Sequence, residues 1–222
     1  MAKQVEPSTT HAATRRGDAR FGGLVGGAVC LDFVNTVGGR VELEPVSGMP
    51  AIVGERLSSY EALIAWSELA ELVIPREARR LLAEAERRPT RAITVLRRAL
   101  ALREAIYGTF KAALDDELAP EPALAIINRE LHIARAHERL VASRAGFSWC
   151  DSDDTALDRV LWPVVRSATE LLTRERLARV GQCPGDECGW MFLDTSRSGR
   201  RQWCDMRDCG NVAKARRFRD RR

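Results

Sequence analysis

Two pairs of cysteines with equal spacing close the chain: Cys183-Pro184-Gly185-Asp186-Glu187-Cys188 and Cys204-Asp205-Met206-Arg207-Asp208-Cys209, separated by 15 residues. A segment this short cannot bury enough apolar surface to fold on a core of its own. Two tight reversals, each presenting two thiolates, instead supply a tetrahedral zinc site that organises it. Between the pairs, Trp190-Met191-Phe192-Leu193 and Gln202-Trp203 have strand composition, and Thr195 to Gly199 offers a turn. After Cys209, Gly210-Asn211 leads into helix formers, so Cys209 lies near a helix N-terminus that favours its thiolate form. Knuckle, hairpin, knuckle and short helix describe a treble-clef-like zinc finger. Four thiolates leave no open coordination position, so one structural Zn2+ is expected and no metal catalysis. Iron–sulfur ligation also uses four cysteines, but the small hairpin and flanking arginines make it the lesser reading.

Charge is distributed unevenly. The chain of 222 residues carries 35 Lys and Arg against 31 Asp and Glu, yet residues 197–222 alone hold 10 basic and 3 acidic residues, leaving the rest mildly acidic. Zinc with four thiolates is close to −2, and nearby arginines offset it, but ten cations exceed what one ion needs. Arg200, Arg201, Lys214, Arg216, Arg217 and Arg219 are therefore candidate contacts to double-stranded DNA, through phosphates or base edges. Charge alone supplies affinity without sequence reading. A lone finger of this size offers few base contacts, so useful specificity requires either a homodimer formed through the body or a second DNA-binding partner.

The remainder reads as helical. Residues 1–20 are polar and expected to be loose. From Phe21 a glycine-rich lead enters Val29-Cys30-Leu31-Asp32-Phe33-Val34-Asn35-Thr36, which suits the start of a buried helix, and residues 38–54 have loop composition. Helical spacing then covers Leu57 to Val73, a helix opened by Pro75, Thr90 to Leu114, and a segment reopened by Pro120 and Pro122. Leu140 to Trp149 hints at one short β-hairpin turning near Ala145-Gly146. Asp154 is the expected cap of a last long helix from Thr155 to about Arg179, which Pro163 would kink. The expected fold class is mainly α: a helical domain over 21–180, then the zinc finger over 181–222 with a basic C-terminal helix.

Other chemistry is sparse. Asp32 and Asn35 sit three apart in an apolar run where unpaired polar groups are expensive. With Thr36 and Arg40 they form either a buried hydrogen-bond network or a pocket for a small-molecule effector. His132 and His137 lack ligands at clear spacing and read as surface or interface residues. Cys30 and Cys150 have apolar neighbours and read as buried thiols, and Trp66, Trp149 and Trp162 as core anchors. No catalytic set of acid, base and nucleophile is recognisable, so an enzyme is not expected; one would have to hide its site among Asp32, Asn35, His132 and His137. A protein-interaction adaptor built on a structural finger is the other alternative to DNA binding. The longest apolar stretch, Leu24 to Val37, is too short and too polar to cross a bilayer, and no secretory signal is evident at the start. A cytoplasmic protein is expected.

The finger resembles the CGNR zinc-finger family on Cys183, Cys188, Trp190, Phe192, Leu193, Asp194, Ser196, Arg197, Arg201, Trp203, Cys204, Met206, Cys209, Gly210 and Asn211. Val212 stands where that family's box carries Arg. The segment Leu31-Asp32-Phe33-Val34-Asn35-Thr36, with Arg40 and the Leu57 to Trp66 helix after it, resembles the all-helical ABATE domain that precedes such fingers. The resemblance implies stress-related transcription regulators of bacteria, notably actinobacteria.

Overall fold

The computed structural model describes residues 20–41, 50–144, 146–152 and 155–221. The loose start expected over residues 1–20 lies, apart from Arg20, outside the described residues, as does the expected cap Asp154. The elements run α1 (Val29–Val34), β1 (Val37–Val41), β2 (Ala51–Glu55), α2 (Tyr60–Leu69), α3 (Pro75–Arg87), α4 (Pro89–Leu114), α5 (Glu121–Ala136), β3 (Glu138–Ser143), β4 (Gly146–Asp151), α6 (Trp162–Leu172), β5 (Val180–Gln182), β6 (Met191–Leu193) and α7 (Asn211–Arg219).

Helix starts follow local chemistry. Ser59 caps α2 by accepting from the Ala62 amide at 3.2 Å, and Glu77 reaches back to the Ile74 amide at 3.0 Å, while Pro75 occupies a first turn that needs no amide hydrogen. The 26-residue α4 is central; its buried Val95, Ala99, Leu102, Ile106 and Phe110 join Leu31 and Phe33 of α1, Leu63 and Trp66 of α2, and Val164, Val165 and Ala168 of α6 in one core. The long helix expected from Thr155 to Arg179 is in fact a 3-10 turn (Arg159–Leu161), α6, and a second 3-10 turn (Glu175–Arg179). Pro163 falls in the first turn of α6, where it starts the helix and imposes no kink.

Strands are more numerous than the sequence suggested. Besides β3–β4, the described residues form two further antiparallel pairs, β1–β2 and β5–β6. Residues 38–54, expected as loop, contain β1 and β2, with Gly39 opposite Val53 and Arg40 opposite Ile52; residues 42–49 lie outside the described residues. Glycines that read as loop punctuation are here placed for close backbone approach. In the finger, β6 pairs with β5, which precedes the first cysteine, with Gln182 opposite Met191, and Gln202-Trp203 is not a strand. The returning chain is instead held by side chains: the Asp194 carboxylate accepts from the Ser196 and Arg201 amides, both at 2.8 Å.

The core does not stop at the finger. Val180, Met191 and Leu193 belong to the same buried cluster as the helices, each side chain contributing about 1.5–3 kcal/mol when fully buried. Two expected core residues are outside it. Trp149 is 69% exposed, and Cys150 is exposed while Cys30 is buried. His137 stacks on Trp162 with ring centroids 4.1 Å apart.

Candidate metal centre and nucleic-acid surface

The sulfurs of Cys183, Cys188, Cys204 and Cys209 all lie within 4.8 Å of one another. Cys188 and Cys204 are 3.5 Å apart and Cys204 and Cys209 3.6 Å, close to the edge of about 3.8 Å expected for a tetrahedron with zinc–sulfur bonds of about 2.3 Å. The first pair lies on the reversal between β5 and β6, where Cys183 N donates to Trp190 O at 2.8 Å and Cys188 N to Gly185 O at 2.9 Å. In the second pair Cys204 precedes a π-turn (Met206–Gly210) that carries Cys209 and runs directly into α7. At this spacing the sulfurs oppose one another's ionisation. Hydrogen bonds from Cys188 and Cys204 hold the Cys183 thiol low, and the same contacts push Cys188 and Cys204 up. Four thiolates coexist at such distances only around a divalent cation, so the donor set fits one structural zinc ion.

The larger body braces this centre. Arg40 N in β1 donates to Cys188 O at 3.1 Å, and a Cβ on Gly39 would stand 1.6 Å from Glu187 O, so only glycine lets the knuckle backbone lie against the strand. Trp190 Nε1 donates to Val37 O at 3.0 Å. Asn35 meets Met191 twice, accepting from its amide at 2.9 Å and donating to its carbonyl at 2.8 Å. Leu193 N donates to Gly26 O at 2.7 Å.

Asp32 Oδ1 accepts from Gly26 N at 2.7 Å; burial pushes its carboxyl up to about 7, against the pull of that amide and of the Arg201 charge. Thr36 donates to Phe33 O at 2.7 Å. Arg40 pairs with Glu104 at 2.6 Å and lies over the Tyr107 ring at 3.8 Å. The four residues that read as either a buried network or an effector pocket are buried and bonded to the protein itself, three of them in or beside the junction with the finger. The reason is cost: each unpaired polar atom at such depth is worth about 1–3 kcal/mol.

Residues 27–175 match the family described as "Putative stress-induced transcription regulator", ABATE, and residues 179–222 match the CGNR zinc finger. The chain belongs to the ABATE family. No curated protein matches it. The ABATE body and its finger stand in the order that the sequence resemblance implied.

The ABATE body also contributes groups that sequence reading missed. Arg103 is 1% exposed and bridges Glu55 at 2.6 Å and Glu104 at 2.8 Å, tying β2 to α4. Gln182 of the finger donates to the Tyr107 hydroxyl of the body at 3.0 Å. On a helix an arginine reads as surface charge, and nothing in spacing marks one as buried. Arg56 is a cation within electrostatic reach of the metal ligand Cys188: it lies over the Trp190 ring at 5.1 Å, and its Nη1 is buried without a hydrogen-bond partner among the described residues. Burial lowers its pKa, and the charge of Cys188 opposes that effect. A zinc–tetrathiolate of charge near −2 is a fitting counter-charge for it.

The expected DNA contacts divide. Arg201 is not presented to solvent as a phosphate ligand: it donates to the backbone carbonyls of Trp203 at 3.0 Å, Leu193 at 3.3 Å, Val25 at 2.8 Å and Cys204, and covers the Phe192 ring at 4.5 Å. Its guanidinium stitches the finger to the Val25 segment of the ABATE body. Arg200, Lys214, Arg216, Arg217 and Arg219 are exposed, and Arg216 pairs with Asp186 on the first knuckle. No side chain of α7 is buried, and the helix rests on the π-turn that carries Cys209. Among the described residues, no helix is long and apolar enough to cross a membrane.

Proposed function

We propose that this ABATE protein is a zinc-dependent transcription regulator that binds double-stranded DNA through its finger, in the bacterial cytoplasm and in response to stress. The observation that carries the reading is α7, a short helix with Lys214, Arg216, Arg217 and Arg219 and no buried side chain. A nine-residue helix with no packing face is marginal in water, and its charge suits a polyanion that would order and neutralise it. Lys214, Arg217 and Phe218 share the side turned away from Arg216, the residue that faces the knuckle, so Lys214 and Arg217 are the leading phosphate contacts, with Arg200 and Arg219 at the flanks. Reduced cytoplasm suits four free thiolates. In this reading no catalysis is involved, and the ABATE body holds and aims the finger. A small-molecule effector would act by loosening or tightening the junction around Asn35 and Arg40.

The test is a salt-series titration of metal-replete protein with random duplex DNA, with Lys214→Ala/Arg217→Ala as the comparison. A chain cut at Gly181 is not a suitable control, because Met191 and Leu193 complete the body's core. Binding in the low micromolar range that weakens steeply with salt, and is reduced in the double variant, supports the reading. Weak, salt-insensitive binding equal in both overturns it in favour of a protein-interaction adaptor, which the exposed Val212 and Phe218 of the same helix favour.

A further inference from the structure

The β3–β4 hairpin carries apolar side chains on a surface that no described residue of the ABATE body covers. Its register sets Leu140 opposite Trp149 and Ala142 opposite Phe147, so these four share one face. Leu140 is 58%, Phe147 77% and Trp149 69% exposed. At its base, Arg166 pairs with Glu138 at 3.2 Å and Asp151 at 2.5 Å, and from there the strands run out with residues 139–144 and 146–150 exposed. An isolated two-stranded hairpin is marginal in water, and native edge strands are usually protected by proline, a bulge or a covering element. Among the described residues, this one has none of these.

The hydrogen-bond phase of β4 shows what fits. Ser152 N donates to His137 O at 2.9 Å, so 137 with 152 is a bonded pair, and alternation makes 139 with 150, 141 with 148 and 143 with 146 bonded as well. The backbone groups of Phe147, Trp149 and Asp151 therefore point to the outer edge. A twofold axis through Ser148 would lay β4 antiparallel to β4 of a second copy and set Phe147 opposite Trp149 of the other copy. In that register the outward amides and carbonyls of those two residues exchange hydrogen bonds, and their aromatic side chains become neighbours on one face. The tip residue Arg144 of each copy would approach the base residue Asp151 of the other, placing opposite charges together at both ends. Two aromatic residues so exposed, with the strand edge, amount to roughly 400 Å² on each copy, and the pair reaches roughly 800 Å². That is below the lower end of specific interfaces and fits a reversible dimer of micromolar affinity.

We propose that two copies of this chain associate through β4, forming a four-stranded sheet across a twofold axis at Ser148. Such a dimer would present two fingers, but the proposal stands independently of DNA binding. The experiment is sedimentation equilibrium of the full metal-replete chain from low to high micromolar concentration, with Phe147→Ser/Trp149→Ser as the test variant. Leu118→Ser, at a residue 96% exposed elsewhere on the molecule, is the control. Neither aromatic residue is buried, so the test variant should keep the far-UV spectrum and thermal midpoint of the parent. Concentration-dependent dimerisation by the parent and the control, weakened at least tenfold in the double variant, supports the proposal. A parent that stays monomeric throughout, or one whose association the double variant leaves unchanged, overturns it. Register is tested with Ser148→Cys in a Cys150→Ser background: a disulfide-linked dimer under mild oxidation supports the twofold at Ser148, and its absence at dimer-forming concentrations overturns that register.

Discussion

Asn35, at the C-terminal end of α1, grips both polar groups of the Met191 peptide, accepting from its amide at 2.9 Å and donating to its carbonyl at 2.8 Å. The side chain acts as one more strand against β6, and so an amide of the ABATE body completes a sheet of the zinc finger. Asn35→Ala would leave both groups buried and unpaired, at about 1–3 kcal/mol each. The expected loss is about 2–4 kcal/mol in urea unfolding, with early proteolytic cleavage in the finger. A variant as stable as the parent would show that the two units fold independently.

Arg56 leads to a prediction about metal affinity. Its buried Nη1 lacks a hydrogen-bond partner among the described residues, and the charge of the zinc–thiolate group compensates the guanidinium. Arg56→Met should weaken zinc retention about 10-fold in competition with a chelator, the scale of outer-shell effects on metal sites. Arg56→Lys should recover most of the loss. Equal retention by all three proteins would remove Arg56 from the metal's electrostatic environment.

Asp32 makes stability depend on pH. Burial raises its carboxyl from 3.8 to about 7, so between those values the folded chain keeps a proton that the unfolded chain has released. Stability therefore falls as pH rises through this window and levels off above about 7. Asp32→Asn preserves an acceptor for the Gly26 amide and abolishes the titration. Between about pH 5.5 and 8 the parent should lose about 2 kcal/mol relative to the variant. Parallel stability profiles for the two proteins would contradict this assignment.

The two kinds of arginine in the finger should separate cleanly in experiment. Arg201→Ala leaves backbone carbonyls of Trp203, Leu193, Val25 and Cys204 without their donor and should cost about 2–4 kcal/mol of stability. Lys214→Ala/Arg217→Ala should change stability by less than about 0.5 kcal/mol while reducing the salt slope of DNA binding by about 2. A stable Arg201→Ala protein with specifically impaired DNA binding would return Arg201 to the phosphate contacts.

Much of the local structure is legible in the chain. Equal cysteine spacing identifies the metal ligands, because a tetrathiolate site is set by two short reversals and needs little from distant residues. Helical periodicity and proline positions locate α2 to α5, with α4 and the start of α3 placed within a residue and α2 several residues shorter than its expected span. The basic C-terminal helix is legible for the same reason, since composition alone makes it exposed and charged.

Pairing between distant segments is what only the tertiary structure decides. Composition offers Gln202-Trp203 as the partner for β6, but the folded chain pairs β6 with β5, and Asp194 and Arg201 hold the returning segment by side-chain bonds. Glycines at 38, 39 and 54 read as loop until the knuckle packs against β1 and leaves no room for a Cβ at Gly39. Asp32, Asn35, Thr36 and Arg40 announce a polar cluster in an apolar run, but sequence cannot tell a ligand's hydrogen-bond partners from the protein's own. Burial is likewise collective: Trp149 has the composition of a core anchor and stands exposed, while Arg103, on an amphipathic helix, is buried between two carboxylates. The sequence by itself determines which residues bind the metal and where the helices lie, since those are short-range properties. The union of body and finger rests on hydrogen bonds such as that between Asn35 and Met191, 156 residues apart in the chain, and only packing brings those groups together.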